Sequence, residues 1–177
     1  MKKLIILISL LLTIYSKGQK IELIESFIGY TNKSEIISFT PNPQLIMSGD
    51  YNGNLNLWDL KKHKLIKTIP SHQDIITSIT FHNRKNTFLT CSEDSTVKLW
   101  SLYSNRLLDS LKITEIPTKA IFNEKGNQYF ICTQNGQIIS KNINKKNLEE
   151  ITNINHHIYD AILSSNQKNI ITCDYES

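Results

Sequence analysis

The sequence predicts an all-β fold of about three and a half four-stranded antiparallel sheets set side by side, preceded by a signal-peptide helix. Three observations carry that reading. Trp58 and Trp100 stand forty-two residues apart, each closing a stretch in which polar and apolar residues alternate. Cys91, Cys132 and Cys173 recur at a spacing of forty-one, twice over. The first eighteen residues are unlike everything after them, with a basic start and an apolar run.

Lys2 and Lys3 precede an apolar run from Leu4 to Tyr15, broken only by Ser9 and Thr13, and Ser16-Lys17-Gly18 follows. The run is shorter than the roughly 20 apolar residues that span a bilayer, and small Ser16 and Gly18 suit the subsites of a signal peptidase. Residues 1–18 therefore read as a secretory signal cut before Gln19. The mature chain is expected to be exported, periplasmic or extracellular, with no stable membrane span. The whole chain carries 20 basic and 16 acidic residues; without Lys2, Lys3 and Lys17 the balance is 17 to 16. A nearly neutral chain lacks the clustered cations that neutralise phosphates, so nucleic acid is not an expected partner.

The first repeat begins with Ile36-Ile37-Ser38-Phe39 and Leu45-Ile46-Met47-Ser48, turns at Tyr51-Asn52-Gly53, and continues through the alternating run Asn54 to Trp58. Alternation with period two is the mark of a half-buried strand, and Asn, Asp and Gly tolerate the positive φ of tight hairpins. The second repeat places Ser78 to Phe81, Thr87 to Thr90, the turn Glu93-Asp94-Ser95 and the run Thr96 to Trp100 in the same slots. The third supplies Ala120 to Phe122, Tyr129 to Cys132, the turn Gln134-Asn135-Gly136 and Gln137 to Ile139. A fourth contains Tyr159 to Leu163 and Asn169 to Cys173. Segments at Leu65 to Ile69, Arg106 to Leu111 and Leu148 to Thr152 add a fourth strand to each unit. Four short strands per forty-odd residues make the blade of a propeller. The repeats run over about 21–60, 61–102, 103–143 and, incompletely, 144–177.

With Trp58-Asp59 and Leu99-Trp100-Ser101 closing equivalent strands, residues 21–177 resemble the WD-repeat family. The resemblance implies a hydrogen-bonding set of a leading-loop His, a second-strand Ser or Thr, a turn Asp and a third-strand Trp. In the second repeat these match His72, Thr90, Asp94 and Trp100, with the imidazole fixed by the carboxylate and donating to the hydroxyl. In the first repeat the same slots hold Tyr30, Ser48, Asn52 and Trp58, so the Trp stays and the acid is lost. The third offers Ile113, Ile131, Asn135 and Lys141, with no network, and the fourth Thr172 and Glu176.

Ser71, His72 and Asp94 have the composition of a catalytic triad, but no nucleophile elbow surrounds Ser71, and the structural network accounts for the other two. His156 and His157, being adjacent, point to opposite faces of a strand and suit no single metal ion; Glu149 and Glu150 diverge in the same way. The cysteine slot, filled by Gly49 in the first repeat, calls for small buried residues, and neighbouring blades hold such slots too far apart for a disulfide. No cofactor fingerprint is present. The resemblance implies a non-catalytic protein–protein interaction scaffold whose partners are proteins. An alternative is the N-terminal adaptor domain of a longer exported enzyme, such as a caspase-like peptidase or other hydrolase, continuing after Ser177. The exposed strand edge of an open ring also invites self-association.

Overall fold

The computed structural model describes residues 33–175. Among the described residues there are fourteen strands in four antiparallel sheets and no helix. The expected signal-peptide helix at residues 1–18, together with Tyr30 and Glu176, lies outside the described residues.

The first sheet holds β1 (Ser34–Phe39), β2 (Leu45–Asp50), β3 (Asn54–Asp59) and β4 (Lys64–Pro70), hydrogen-bonded in chain order. The second holds β5 (Ile76–Phe81), β6 (Thr87–Ser92), β7 (Thr96–Ser101) and β8 (Leu107–Lys112). The third holds β9 (Pro117–Phe122), β10 (Gln128–Thr133), β11 (Gln137–Asn142) and β12 (Leu148–Asn153). The last pairs β13 (His157–Leu163) with β14 (Ile170–Tyr175). The sheets and the sequence repeats are out of phase. β4 lies inside the repeat 61–102 yet completes the first sheet, and β8, inside 103–143, completes the second.

Each hairpin between the second and third strand of a sheet turns on one residue with positive φ: Gly53 at 77°, Ser95 at 62° and Gly136 at 89°. The N–H of each donates back to the last residue of the preceding strand, Asp50, Ser92 or Thr133. Its carbonyl accepts from the segment that leaves the sheet: Ser71 and His72 on Gly53, Ile113 on Ser95, Ile154 on Gly136. One turn residue thus fixes both its own hairpin and the crossing to the next sheet.

The apolar side chains assemble into three cores, one in each gap between consecutive sheets. Met47, Leu55, Ile69, Ile76, Ile79, Phe88 and Trp100 fill the first gap, where Phe88 and Trp100 stack with centroids 6.1 Å apart. Leu89, Cys91, Val97, Leu99, Ala120, Tyr129 and Ile131 occupy the second, with Ile113 and Ile139 at its margin. Ile121, Cys132, Ile138, Ile158 and Ala161 fill the third. Close approach across these gaps explains the small-residue slot. A Cβ added to Gly49 would lie 2.6 Å from Cβ of Ile76 on the next sheet. Cys91 and Cys132 take the equivalent buried places, while Cys173, expected to be buried, is exposed. It sits on β14, and among the described residues no further sheet packs against that face. All three thiols are free.

Candidate functional site

His72 lies in the crossing from β4 to β5, Thr90 in the middle of β6, Asp94 in the β6–β7 turn and Trp100 near the end of β7. The fold brings the four together. His72 Nδ1 is 3.0 Å from Asp94 Oδ2 and 3.2 Å from Oδ1, and its Nε2 is 2.7 Å from Thr90 Oγ1. Trp100 Nε1 donates to the same Thr90 oxygen at 2.9 Å.

The donor directions follow from what each atom can do. An ionised carboxylate only accepts, so Nδ1 carries the hydrogen of a neutral imidazole and Nε2 is left as an acceptor. The Thr90 hydroxyl therefore receives the indole N–H and donates its own hydrogen to Nε2, the reverse of the direction expected between His72 and Thr90. Protonation favours this arrangement at neutral pH. Burial pushes His72 down to about 4, against the opposing pull of Asp94. Burial alone would raise Asp94, but donations from the Thr96 hydroxyl at 2.5 Å and the Gln73 N–H at 3.0 Å, with His72 adding to them, hold its carboxyl at about 2.

His72 joins the first crossing to the second sheet through Asp94 and Thr90, and Trp100 braces Thr90 from within that sheet. Ser71 Oγ donates to the Gly53 carbonyl at 2.7 Å and makes no hydrogen bond to His72, so the three residues form no nucleophile–base pair. Among the described residues no three His, Cys, Asp or Glu side chains converge as metal ligands would. Glu149 and Glu150 are exposed on β12. His157 stacks on Tyr159 with centroids 4.1 Å apart.

The first sheet keeps half of the set and moves the other half. Trp58 Nε1 donates to Ser48 Oγ at 2.9 Å, matching Trp100 and Thr90. Asn52 is exposed and contributes only its backbone N–H. The acid of this sheet is Asp50, two residues earlier and fully buried. Its Oδ1 accepts the N–H groups of Asn52 and Asn54 at 2.9 and 2.8 Å, and its Oδ2 accepts the side-chain amides of Asn54 and Asn56 at 3.1 and 3.2 Å. The expected loss of the acid is therefore a displacement.

Asp50 occupies a repeated slot that the sequence reading passed over. Asp50, Ser92 and Thr133 each end the second strand of a sheet and are fully buried. Each accepts a backbone N–H of its own turn: Asp94 N–H on Ser92 at 3.1 Å, Gln137 N–H on Thr133 at 2.9 Å. Three polar residues at the same forty-two and forty-one residue intervals as the Trp and Cys slots were the signal for it.

In the third sheet Ile113 and Ile131 are buried in the slots of His72 and Thr90, and Asn135 is exposed. Lys141, in the Trp slot, is buried with its ammonium donating to the carbonyls of Asn142, at 3.1 Å, and Lys145. Thr172 lies on β14, away from any such set among the described residues.

The WD domain, G-beta repeat, model matches residues 22–59 and 63–101. In structure the chain is similar to the Cps50 (Swd1) β-propeller domain of Myceliophteria thermophila, with a TM-score of 0.72 at 15% identity, over 82% of this chain and 49% of that one. Residues 22–59 and 63–101 are thus WD repeats, and the fold is that of a β-propeller. Among WD-repeat and other relatives, it is 34% identical over 65 residues to Pre-mRNA-processing factor 17 of Homo sapiens, covering 36% of this chain and 11% of that protein. It is 32% identical over 81 residues to a WD repeat domain-containing protein 83 homolog of Dictyostelium discoideum, covering 45% and 25%. The chain thus spans a quarter or less of these two relatives. Within the second repeat, the four-residue network fastens the β4–β5 crossing to the second sheet.

Proposed function

We propose that this WD-repeat chain is an exported, non-catalytic scaffold for protein–protein interaction. The observation that carries the reading is the consumption of the His72, Thr90, Asp94 and Trp100 polar atoms by hydrogen bonds to one another, which tie the β4–β5 crossing to the second sheet. A His–Asp pair so engaged has no atom to spare for a substrate, whereas a stiff stack of sheets carrying variable loops suits recognition. Export rests on the charge and apolar pattern of residues 1–18.

The test uses the full chain with its own N-terminus and a C-terminal tag, expressed in a bacterial host with a periplasm. The expected result is a periplasmic or secreted species whose first residue is Gln19 and which cross-links to a discrete protein at fixed stoichiometry. Retention of Met1 in the cytoplasm would overturn export, and failure to cross-link any protein would overturn the scaffold role.

A further inference from the structure

The gap between the first two sheets and the gap between the second and third are closed differently at the rim. At the first gap, Lys98 on β7 extends across and its ammonium donates to the Ser71 carbonyl, while His72, Asp94 and Thr96 fill the space beside it. At the second gap the corresponding residues are Ile139, Ile113, Asn135 and Gln137. Ile139 is too short to bridge and has no hydrogen to donate, and Ile113 forms no network. A groove of about 680 Å³ remains between the sheets, with Ile113, Ile139 and Leu148 as its apolar lining and Ser95, Lys112 and Glu150 among its polar rim. That volume falls in the range of pockets that seat ligands.

The neighbouring strand specifies what the groove would hold. All six residues of β12 are exposed, Leu148 at 40% and Ile151 at 50%, and among the described residues nothing pairs with its outer edge. The outer strands differ in charge: β4 carries Lys64 and Lys67, β8 carries Asp109 and Lys112, and β12 carries Glu149 and Glu150 with no cation. Neither glutamate forms an ion pair among the described residues, and Glu150 stands opposite Ile139 in the strand register, at the groove. Lys112 faces from the second sheet, so the two walls differ in sign.

We propose that this groove docks an extended partner segment that seats an aliphatic or aromatic side chain against Ile113, Ile139 and Leu148 and sets a neighbouring cationic side chain against Glu150. The Lys112 wall takes a carbonyl or carboxylate of the same segment. The proposal deepens the scaffold reading and rests on it. Burial of the apolar anchor supplies affinity, and the unpaired Glu150 selects basic over acidic neighbours.

The probe is an acetylated, amidated five-residue peptide alternating Lys and Leu, titrated into the isotopically labelled full chain and followed by amide shifts. A peptide alternating Glu and Leu is the control. Two variants of the chain accompany it. Ile139→Lys places in the groove the residue that closes the first gap, and Glu150→Lys reverses the rim charge at an exposed site. The expected result is perturbation of Ile113, Ile139 and Glu150 by the Lys–Leu peptide, and binding about tenfold weaker or worse in each variant, equivalent to about 1.4 kcal/mol. Unchanged tryptophan emission reports that the variants remain folded; if Ile139→Lys loses its fold, Glu150→Lys alone decides. Equal binding of the two peptides, shifts confined to other residues, or no binding would each overturn the proposal. Cross-linking of a partner by both variants as well as the parent chain would leave the scaffold reading standing while this site falls.

Discussion

His72 and Asp94 are twenty-two residues apart in sequence and 3.0 Å apart in space, one in the crossing between the first two sheets and the other in a hairpin of the second. The pair joins a segment that leaves one sheet to the turn of the next. Its consequences for stability can be measured.

Folded His72 titrates at about 4, below its ordinary 6.5, so between those values the unfolded chain binds the proton and the folded chain does not. Stability is therefore full above pH 6.5 and declines as pH falls toward 4, by roughly 3 kcal/mol in total if His72 acts alone. Urea unfolding from pH 7 to pH 4 should show that slope, and His72→Gln should lose most of it. A slope unchanged in His72→Gln would show that another group governs acid sensitivity.

Thr90 joins two buried donors and acceptors at once, so Thr90→Val strands both His72 Nε2 and Trp100 Nε1. The expected cost is about 2–4 kcal/mol, because each buried polar group left without a partner costs on the order of 1–3 kcal/mol. Ser48→Ala in the first sheet removes one such bond and should cost less. Denaturant midpoints of the two variants, measured side by side, test the ordering.

Asp50 accepts the backbone N–H groups of Asn52 and Asn54 and the side-chain amides of Asn54 and Asn56, while Asn52 is exposed. Asp50→Ala should lower stability by about 2–4 kcal/mol, since several buried donors lose an ionised acceptor. Asn52→Ala should change it by less than about 0.5 kcal/mol, as for other surface positions. Thermal unfolding of both variants decides which residue holds the first turn.

Gly49 faces the branched Cβ of Ile76 across the first gap. Gly49→Val should destabilise by about 1–3 kcal/mol through overpacking, and Ile76→Ala in the same chain should recover part of the loss. A double-mutant cycle showing no coupling would contradict the contact.

Cys173 is exposed, whereas burial raises the Cys91 thiol and pushes Cys132 up to about 12. Thiolate is the reactive form, so a thiol reagent at pH 8 should modify one cysteine in the folded chain and three after unfolding. Mass mapping of the labelled peptide should identify Cys173.

The strands were legible in the sequence because alternation, turn residues and the forty-odd residue spacing all agree at Asn54 to Trp58 and Thr96 to Trp100. The His72 set was legible for a different reason: its members stand where the WD-repeat resemblance puts them. Asp50 was not read, because matching by slot looks for the acid where the second repeat has it, and a carboxylate two positions away serves a turn equally well. Cys173 was misplaced because burial depends on a neighbouring sheet as well as on the slot. The direction of the Thr90–His72 hydrogen bond needed the ionisation states of both His72 and Asp94, which only the enclosed geometry determines.

The offset between repeat and sheet bears on how such a chain can grow. A duplication copying residues 61–102 would insert a strand that completes the sheet upstream and three strands that await their fourth from downstream. The tally of sheets rises by one and no orphan strand is left, whichever copy is taken. Recombination at the repeat boundary thus stitches the newcomer to both neighbours in the same event, and the ancestral gene could lengthen without passing through a product with a loose unit.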